Sequence, residues 1–338
     1  YCSRCYCNAI RGMAAYLRRC LMAGRGPGFR LCREDKMNDV TVVNKVADQL
    51  GESPVWHPGE QAMYWLDIKA PAIRRMDPAD GTRADWTMPQ EIGSIGLRRE
   101  GGFVAGMRDG FATISLFPDG RSAIDRIIDP EAGLPRNRLN DGKCDRQGRF
   151  WSGSFDDPPG MPSGPRTDRE AVGVLYRLDP DRTCHRMADG ILVSNSLCWS
   201  PDGTVMYFAD SPRRAIRAYD YDVTGGMIAN PRIFAQVPET DGTPDGSTVD
   251  SEGFLWNAQF GGGKVVRYAP DGSIDREIPL PVTRPTCCAF GGADLKTLYV
   301  TSGRVMASAA EIAVEPLAGA LFAIDCDIAG LPEVPYAG

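Results

Sequence analysis

Two histidines, His57 and His185, are all the imidazole the chain has. One sits in a Trp-His-Pro-Gly turn and the other in a charged connector, so a Ser-His-Asp or His-dyad mechanism finds no support. No P-loop or dinucleotide fingerprint occurs, because Gly261-Gly-Gly-Lys reads as a hairpin turn and not as a strand-to-helix phosphate cradle. No apolar run approaches the length of a membrane span. Positive charge is outweighed: 38 Lys and Arg against 44 Asp and Glu leave a net charge of -6, which argues against a nucleic-acid or anionic-membrane partner. C-x-x-C spacing is missing from Cys144, Cys184, Cys198, Cys287, Cys288 and Cys326, most of which fall in apolar strand-like runs. A reducing, cytoplasmic setting is expected.

Turn formers, by contrast, are plentiful. The 338 residues include 38 Gly and 26 Pro, which favours many tight turns over long helices and puts all-β first among fold classes. The length exceeds what one layered core usually covers, so the chain has either two domains or a repeating architecture. Residues 1–36 stand apart, with eight basic residues against Glu34 and Asp35 and five of the eleven cysteines. They are expected to be a non-domain extension. A translated upstream stretch before Met37, an Arg-rich targeting peptide and a small metal site from Cys2, Cys5 and Cys7 are its three possible origins.

The remainder repeats. A D/S-x-x-G turn, preceded by a short apolar run and followed by a Trp- or Tyr-containing strand, occurs six times, beginning at Ser53, Ile95, Asp141, Ser196, Gly246 and Cys287. Each copy reads as a β-hairpin, and a second hairpin with a D-P-x-D-G-like turn follows each. Six four-stranded antiparallel units at this period predict a six-bladed β-propeller over residues 38–335. The strand-like stretch Asp39 to Val46 precedes the first copy and is expected to supply the outer strand of the last blade, closing the ring.

One phase of the repeat is polar in every copy: Glu52, Ser94, Asn140, Asn195, Asp245 and Thr286, spaced 42, 46, 55, 50 and 41 residues apart. In a propeller one phase maps to one ring around the axis, so these side chains are expected to converge at one mouth of the channel, just ahead of the innermost strands. Two carboxylates and two amides facing one another repel or stay unpaired without a cation between them. Oxygen-only donors suit a hard divalent ion, and Ca²⁺ fits the loose geometry of such a ring better than Mg²⁺.

Leu50-Gly-Glu-Ser-Pro-Val-Trp, Asn137-Arg-Leu-Asn-Asp-Gly-Lys-Cys-Asp, Val193-Ser-Asn-Ser-Leu-Cys-Trp-Ser-Pro-Asp-Gly, Thr243-Pro-Asp-Gly and Cys287-Cys-Ala-Phe-Gly-Gly together resemble the regucalcin, gluconolactonase and luciferin-regenerating enzyme family of six-bladed propellers. The resemblance covers about residues 40 to 330. It implies that Glu52, Asn195 and Asp245 hold one divalent metal, that Arg138 and Asn140 bind substrate, and that the reaction opens the ester bond of a sugar lactone. Ca²⁺ is the expected ion, with Zn²⁺, Mn²⁺, Mg²⁺ and Fe²⁺ as alternatives. Where the family has Ser-Asn-Gly this chain has Ser194-Asn195-Ser196, and the added hydroxymethyl is expected to narrow the pocket or shift a loop.

Within that scheme Asp245 is the expected general base, a metal-linked carboxylate within reach of bound water. Asp156 and Asp157 open a Pro- and Gly-rich insert running to about Glu170, read as a lid over the mouth, and Asp157 joins the candidate substrate contacts. The partner expected is a small-molecule gluconolactone, arabinonolactone or xylonolactone, with the protein a monomer or small homo-oligomer. Two alternatives stay open: a non-catalytic calcium-binding propeller, and hydrolysis of other esters or organophosphates at the same metal site.

Overall fold

The computed structural model describes residues 40–160 and 169–338. The expected extension at 1–36 and the middle of the insert at 161–168 lie outside the described residues. Six four-stranded antiparallel sheets make up nearly all the rest. Their innermost strands are Gly51–His57, Ile92–Leu97, Asn137–Cys144, Ser194–Trp199, Thr243–Val249 and Pro285–Gly291, for blades 1 to 6 in chain order. Each packs against the next, and the sixth against the first, so the blades close into a six-bladed β-propeller. Closure is as expected: Val40–Asn44 pairs antiparallel with Leu321–Asp325 as the outer strand of blade 6.

Burial follows position in the blade. Inner strands such as Ala62–Asp67 and Phe103–Met107 are buried along their whole length, sandwiched between neighbouring sheets. The outermost strand Ser122–Ile128 exposes alternate residues, because only one face meets a neighbour.

The local structure explains the repeated turn. In Asp145-Arg-Gln-Gly148 the Asp145 carboxylate accepts the amides of Gln147 (2.9 Å) and Arg149 (3.0 Å), while Gly148 supplies φ 79°. Asp250 does the same for Glu252 and Phe254, with Gly253 at φ 85°. The second oxygen of each aspartate accepts an indole N–H from the following strand, Trp151 (3.3 Å) and Trp256 (2.9 Å), and pairs with Arg149 and Arg267. One carboxylate thereby caps the turn and satisfies two buried donors, which is why aspartate, glycine and tryptophan travel together in the sequence.

Two features were not foreseen. A short α-helix, Ala309–Val314, is capped by Ser308 and Glu311 in blade 6. The last thirteen residues, 326–338, leave blade 6 and cross the ring at the end of the innermost strands away from Glu52 and Asp245. Their main chain bonds Ser251 of blade 5, Leu97 and Arg99 of blade 2 and Gly148 beside blade 3. Tyr336 is fully buried, its hydroxyl donating to the Asp179 carbonyl at 2.7 Å, and Glu333 stands 3.5 Å from the Lys143 ammonium. Among the described residues no helix is long and apolar enough to cross a membrane.

Candidate functional site

In all six innermost strands the pairing register shifts at the polar phase of the repeat: between Glu52 and Val55, Ile92 and Ser94, Leu139 and Gly142, Asn195 and Cys198, Pro244 and Ser247, and Pro285 and Cys288. The six residues thus lie within the innermost strands, at bulges, and not ahead of them as the sequence suggested. A bulge bends the strand and re-aims the side chain it carries, and here it frees a side chain from the flat wall of a blade.

Four of the six, Glu52, Asn140, Asn195 and Asp245, line one cavity of about 520 Å³. Ser94 and Thr286 do not. The Ser94 hydroxyl lies 3.4 Å from that of Ser152, and Thr286 bonds the Gly51 carbonyl and, at 2.8 Å, the Thr301 hydroxyl, so both short side chains are satisfied inside the wall. Convergence of the full ring is therefore corrected to convergence of its four longer polar members.

The amides and the arginine form a chain. Arg138 Nη1 donates to Asn140 Oδ1 at 2.8 Å, Asn140 Nδ2 donates to Asn195 Oδ1 at 3.1 Å and to the Ser194 carbonyl at 2.8 Å, and Asn195 Nδ2 donates to Ser211 Oγ at 2.7 Å. Arg138 is almost wholly buried, stacked 4.6 Å from the Phe155 ring, and its Nε meets Asp157 at 2.7 Å. Asp157 also takes the Lys69 ammonium at 2.8 Å. Burial alone would raise the Asp157 carboxyl, but Arg138 and Lys69 outweigh it and hold it well below the usual carboxylate range. Asp157 thus lines the cavity as a permanently charged partner of Arg138. Its neighbour Asp156 turns to Arg136 at 2.9 Å.

Sequence reasoning missed several members of this wall. Lys69, which lines the cavity, and Arg108, which does not, come from turns in blades 1 and 2, and both reach Glu91 as well as Asp157. Arg169, Arg214 and Arg284 line the same cavity. None belongs to the phase that is polar in every copy, so its spacing did not reveal them. Asp141 was readable as a turn residue only, yet its carboxylate accepts the Leu197 amide of blade 4 at 2.9 Å and braces the bulge that carries Asn195. The lid reading of the insert falls on residues 161–168, outside the described residues.

Ser196 departs from expectation. It is fully buried, does not line the cavity, and holds a left-handed φ of 62°. Its hydroxyl donates to the Asp245 carbonyl and accepts from Asn257 and Ser247, both at 3.1 Å. The extra hydroxymethyl is buried in the wall, where its hydroxyl is hydrogen-bonded, and it does not line the pocket.

The electrostatics of the floor suit a cation. Burial pushes the Glu52 carboxyl up, and the Asp141 charge adds to it. Asp245 is raised by burial, then by Glu52 and Asp141. Glu52 keeps one oxygen on the Ser53 amide at 2.9 Å, and the Asp245 carboxylate takes the Gly246 amide but no side-chain donor among the described residues. Two carboxylates that disfavour each other's charge, beside an amide oxygen and with no thiolate or imidazole, form a donor set that fits a hard divalent ion.

Residues 50–304 match the SMP-30/Gluconolactonase/LRE-like region. The chain is 40% identical to a 6-deoxy-6-sulfogluconolactonase of Pseudomonas putida, over 86% of this chain and 95% of the relative. It is 39% identical to an L-arabinolactonase of Azospirillum brasilense, over 88% and 95%. Among solved structures, the calcium-binding protein regucalcin of Agrobacterium tumefaciens superposes with a TM-score of 0.81 at 26% identity, over 88% of this chain and 97% of the other. The two sequence relatives are lactonases, hence carboxylic-ester hydrolases, and this chain is an enzyme of that class. A bulged ring of Glu52, Asn140, Asn195 and Asp245 inside a six-bladed propeller, together with these matches, makes the chain a member of the SMP-30/gluconolactonase/LRE-like family.

Proposed function

We propose that this protein is a divalent-metal-dependent sugar lactonase that opens aldonolactones to aldonic acids. The observation that carries the reading is the meeting of Glu52, Asn195 and Asp245 on the floor of one cavity whose wall presents Arg138 and Asn140. Glu52, Asn195 and Asp245 would hold the ion, with Ca²⁺ the preferred candidate for all-oxygen donors. Held there, a divalent ion would supply Lewis-acid polarisation of the lactone carbonyl and stabilisation of the charge that develops on its oxygen.

The chain's own residues supply the rest. Asp245, whose carboxylate takes the Gly246 amide but no side-chain donor among the described residues, accepts a proton from the water whose oxygen attacks the carbonyl carbon. The bond from that carbon to the ring oxygen then breaks, and the ring oxygen leaves as a hydroxyl by taking back the proton that Asp245 accepted. Arg138 is held in place by Asp157 and Asn140, and its remaining donors can fix the hydroxyls of the sugar ring. Lys69 keeps Asp157 charged, and so keeps Arg138 aimed.

EDTA-treated protein should open none of a panel of five- and six-membered sugar lactones, and Ca²⁺, Mn²⁺, Zn²⁺ or Fe²⁺ should restore opening. Metal binding without hydrolysis of any lactone would instead favour a calcium-binding protein, as the solved regucalcin is described.

A further inference from the structure

Five basic side chains line the cavity, Lys69, Arg138, Arg169, Arg214 and Arg284, against the carboxylates of Glu52, Asp157 and Asp245. Lys69 and Arg138 are matched by Asp157, and Arg284 by Glu311 at 2.9 Å. Arg214 differs. Among the described residues it makes no ion pair, and its side-chain hydrogen bonds all leave from Nη1, to the main-chain carbonyls of Pro238, Glu239 (3.2 Å) and Gly242. Nε and Nη2, the two donors along one edge of the guanidinium fork, have no protein partner among the described residues.

This fork is held rather than loose. The Arg214 amide donates to the Ser211 carbonyl at 3.0 Å, its own carbonyl accepts from Val237 (2.8 Å) and from Gln236 Nε2 (2.9 Å), and φ is 54°. Backbone and tip are both pinned, Arg214 lines the cavity with Ser211 and Pro212, and one donor edge of its fork is taken by no protein group among the described residues. Two parallel N–H groups on a fixed positive plane match two oxygens of a tetrahedral anion, and a single sugar hydroxyl neither fills the edge nor balances the charge. A divalent ion between Glu52 and Asp245 would leave the cavity still more positive.

We propose that the lactone this cavity takes is anionic, a sugar lactone with a sulfonate or phosphate on its terminal carbon, and that Arg214 recognises that group. The inference rests on the lactonase reading above and names its substrate class.

The test uses the full chain loaded with its activating metal. Initial rates are measured on gluconolactone, 6-phosphogluconolactone and 6-deoxy-6-sulfogluconolactone. At least one anionic lactone should exceed the neutral one in kcat/KM by about tenfold or more, the size of a charge-assisted hydrogen bond, and the faster of the two anions identifies the group. In Arg214→Gln the ratio of anionic to neutral kcat/KM should fall by about tenfold or more, through KM. Because that variant can misfold, inhibition of wild-type gluconolactone opening is measured with 6-phosphogluconate and with gluconate. The anionic sugar acid should bind at least about tenfold more tightly, with the gap narrowing as salt rises. Equal kcat/KM for neutral and anionic lactones, equal inhibition, or an unchanged ratio in Arg214→Gln overturns the inference and leaves the lactonase reading standing. Opening of none of the three while a pentonolactone opens overturns the inference alone, and opening of no lactone in the panel above overturns both.

Discussion

The hydroxyl of Ser196 in blade 4 donates to the main-chain carbonyl of Asp245 in blade 5, and so ties the strand of one floor residue, Asn195, to that of another. Ser196 does this from a left-handed backbone, φ 62°, that a residue with a Cβ adopts at a cost of about 1–2 kcal/mol. The hydrogen bond returns about 1 kcal/mol.

Glycine and alanine at this position should therefore part company. Ser196→Gly loses the bond and also sheds the backbone cost, so its stability should stay within about 1 kcal/mol of wild type. Ser196→Ala keeps the cost and loses the bonds of the hydroxyl, the one it accepts from Ser247 included, and should be about 1–3 kcal/mol less stable. Urea unfolding of the two variants checks the order. Because the hydroxyl lies outside the cavity, neither change should alter which lactones are accepted.

Asp245→Asn should give a folded propeller whose turnover stays low at saturating metal, by about 10²-fold or more. Measuring kcat across a metal titration is decisive. Turnover near wild type at any metal concentration removes Asp245 from proton transfer.

Glu52→Gln should weaken metal affinity and recover part of its activity in excess cation. The wild-type protein carries a related pH signature. In the metal-free form the Glu52 carboxyl is pushed from 4.5 up to about 8, by burial first and by Asp141 next. A carboxyl raised on folding stabilises the fold while protonated, and that contribution is lost as pH rises through the folded value. Metal-free protein should lose thermal stability from about pH 5 to about pH 8, and saturating Ca²⁺ should raise Tm more at the upper end. Calorimetry of EDTA-treated protein with and without Ca²⁺ reads this directly, and a metal-induced gain that shrinks with pH contradicts it.

Tyr336→Ala removes a fully buried ring and its bond to the Asp179 carbonyl, and should cost about 3–5 kcal/mol. Tyr336→Phe should cost about 1 kcal/mol. Denaturation midpoints of the pair test whether the terminal segment clamps blades 2 and 3. Equal midpoints for Tyr336→Ala and wild type would mean that it does not.

The propeller was legible because its signals are local. An aspartate that caps a turn, a glycine at positive φ three residues on and a tryptophan that returns to the aspartate are all close in sequence, and they recur in blades 3 and 5. The same regularity pointed to Glu52, Asn140, Asn195 and Asp245, since a repeat phase is a position around the axis. Phase alone did not tell long side chains from short ones, and so Ser94 and Thr286 were placed with them although their hydroxyls close inside the wall. Lys69 and Arg214 come from turns in different blades, outside the polar phase of the repeat, and only ring closure brings them to one cavity, where Glu91 and Arg108 complete the ion pairs around Lys69 and Asp157. The crossing of residues 326–338 was equally hidden, because its partners lie in blades 2, 3 and 5 and its register depends on contacts between residues as distant as Arg98 and Tyr336. Local turn chemistry and periodicity determined the fold and the floor of the site. The charge pattern of its walls arose only in three dimensions, where loops without any shared sequence pattern meet around a common axis.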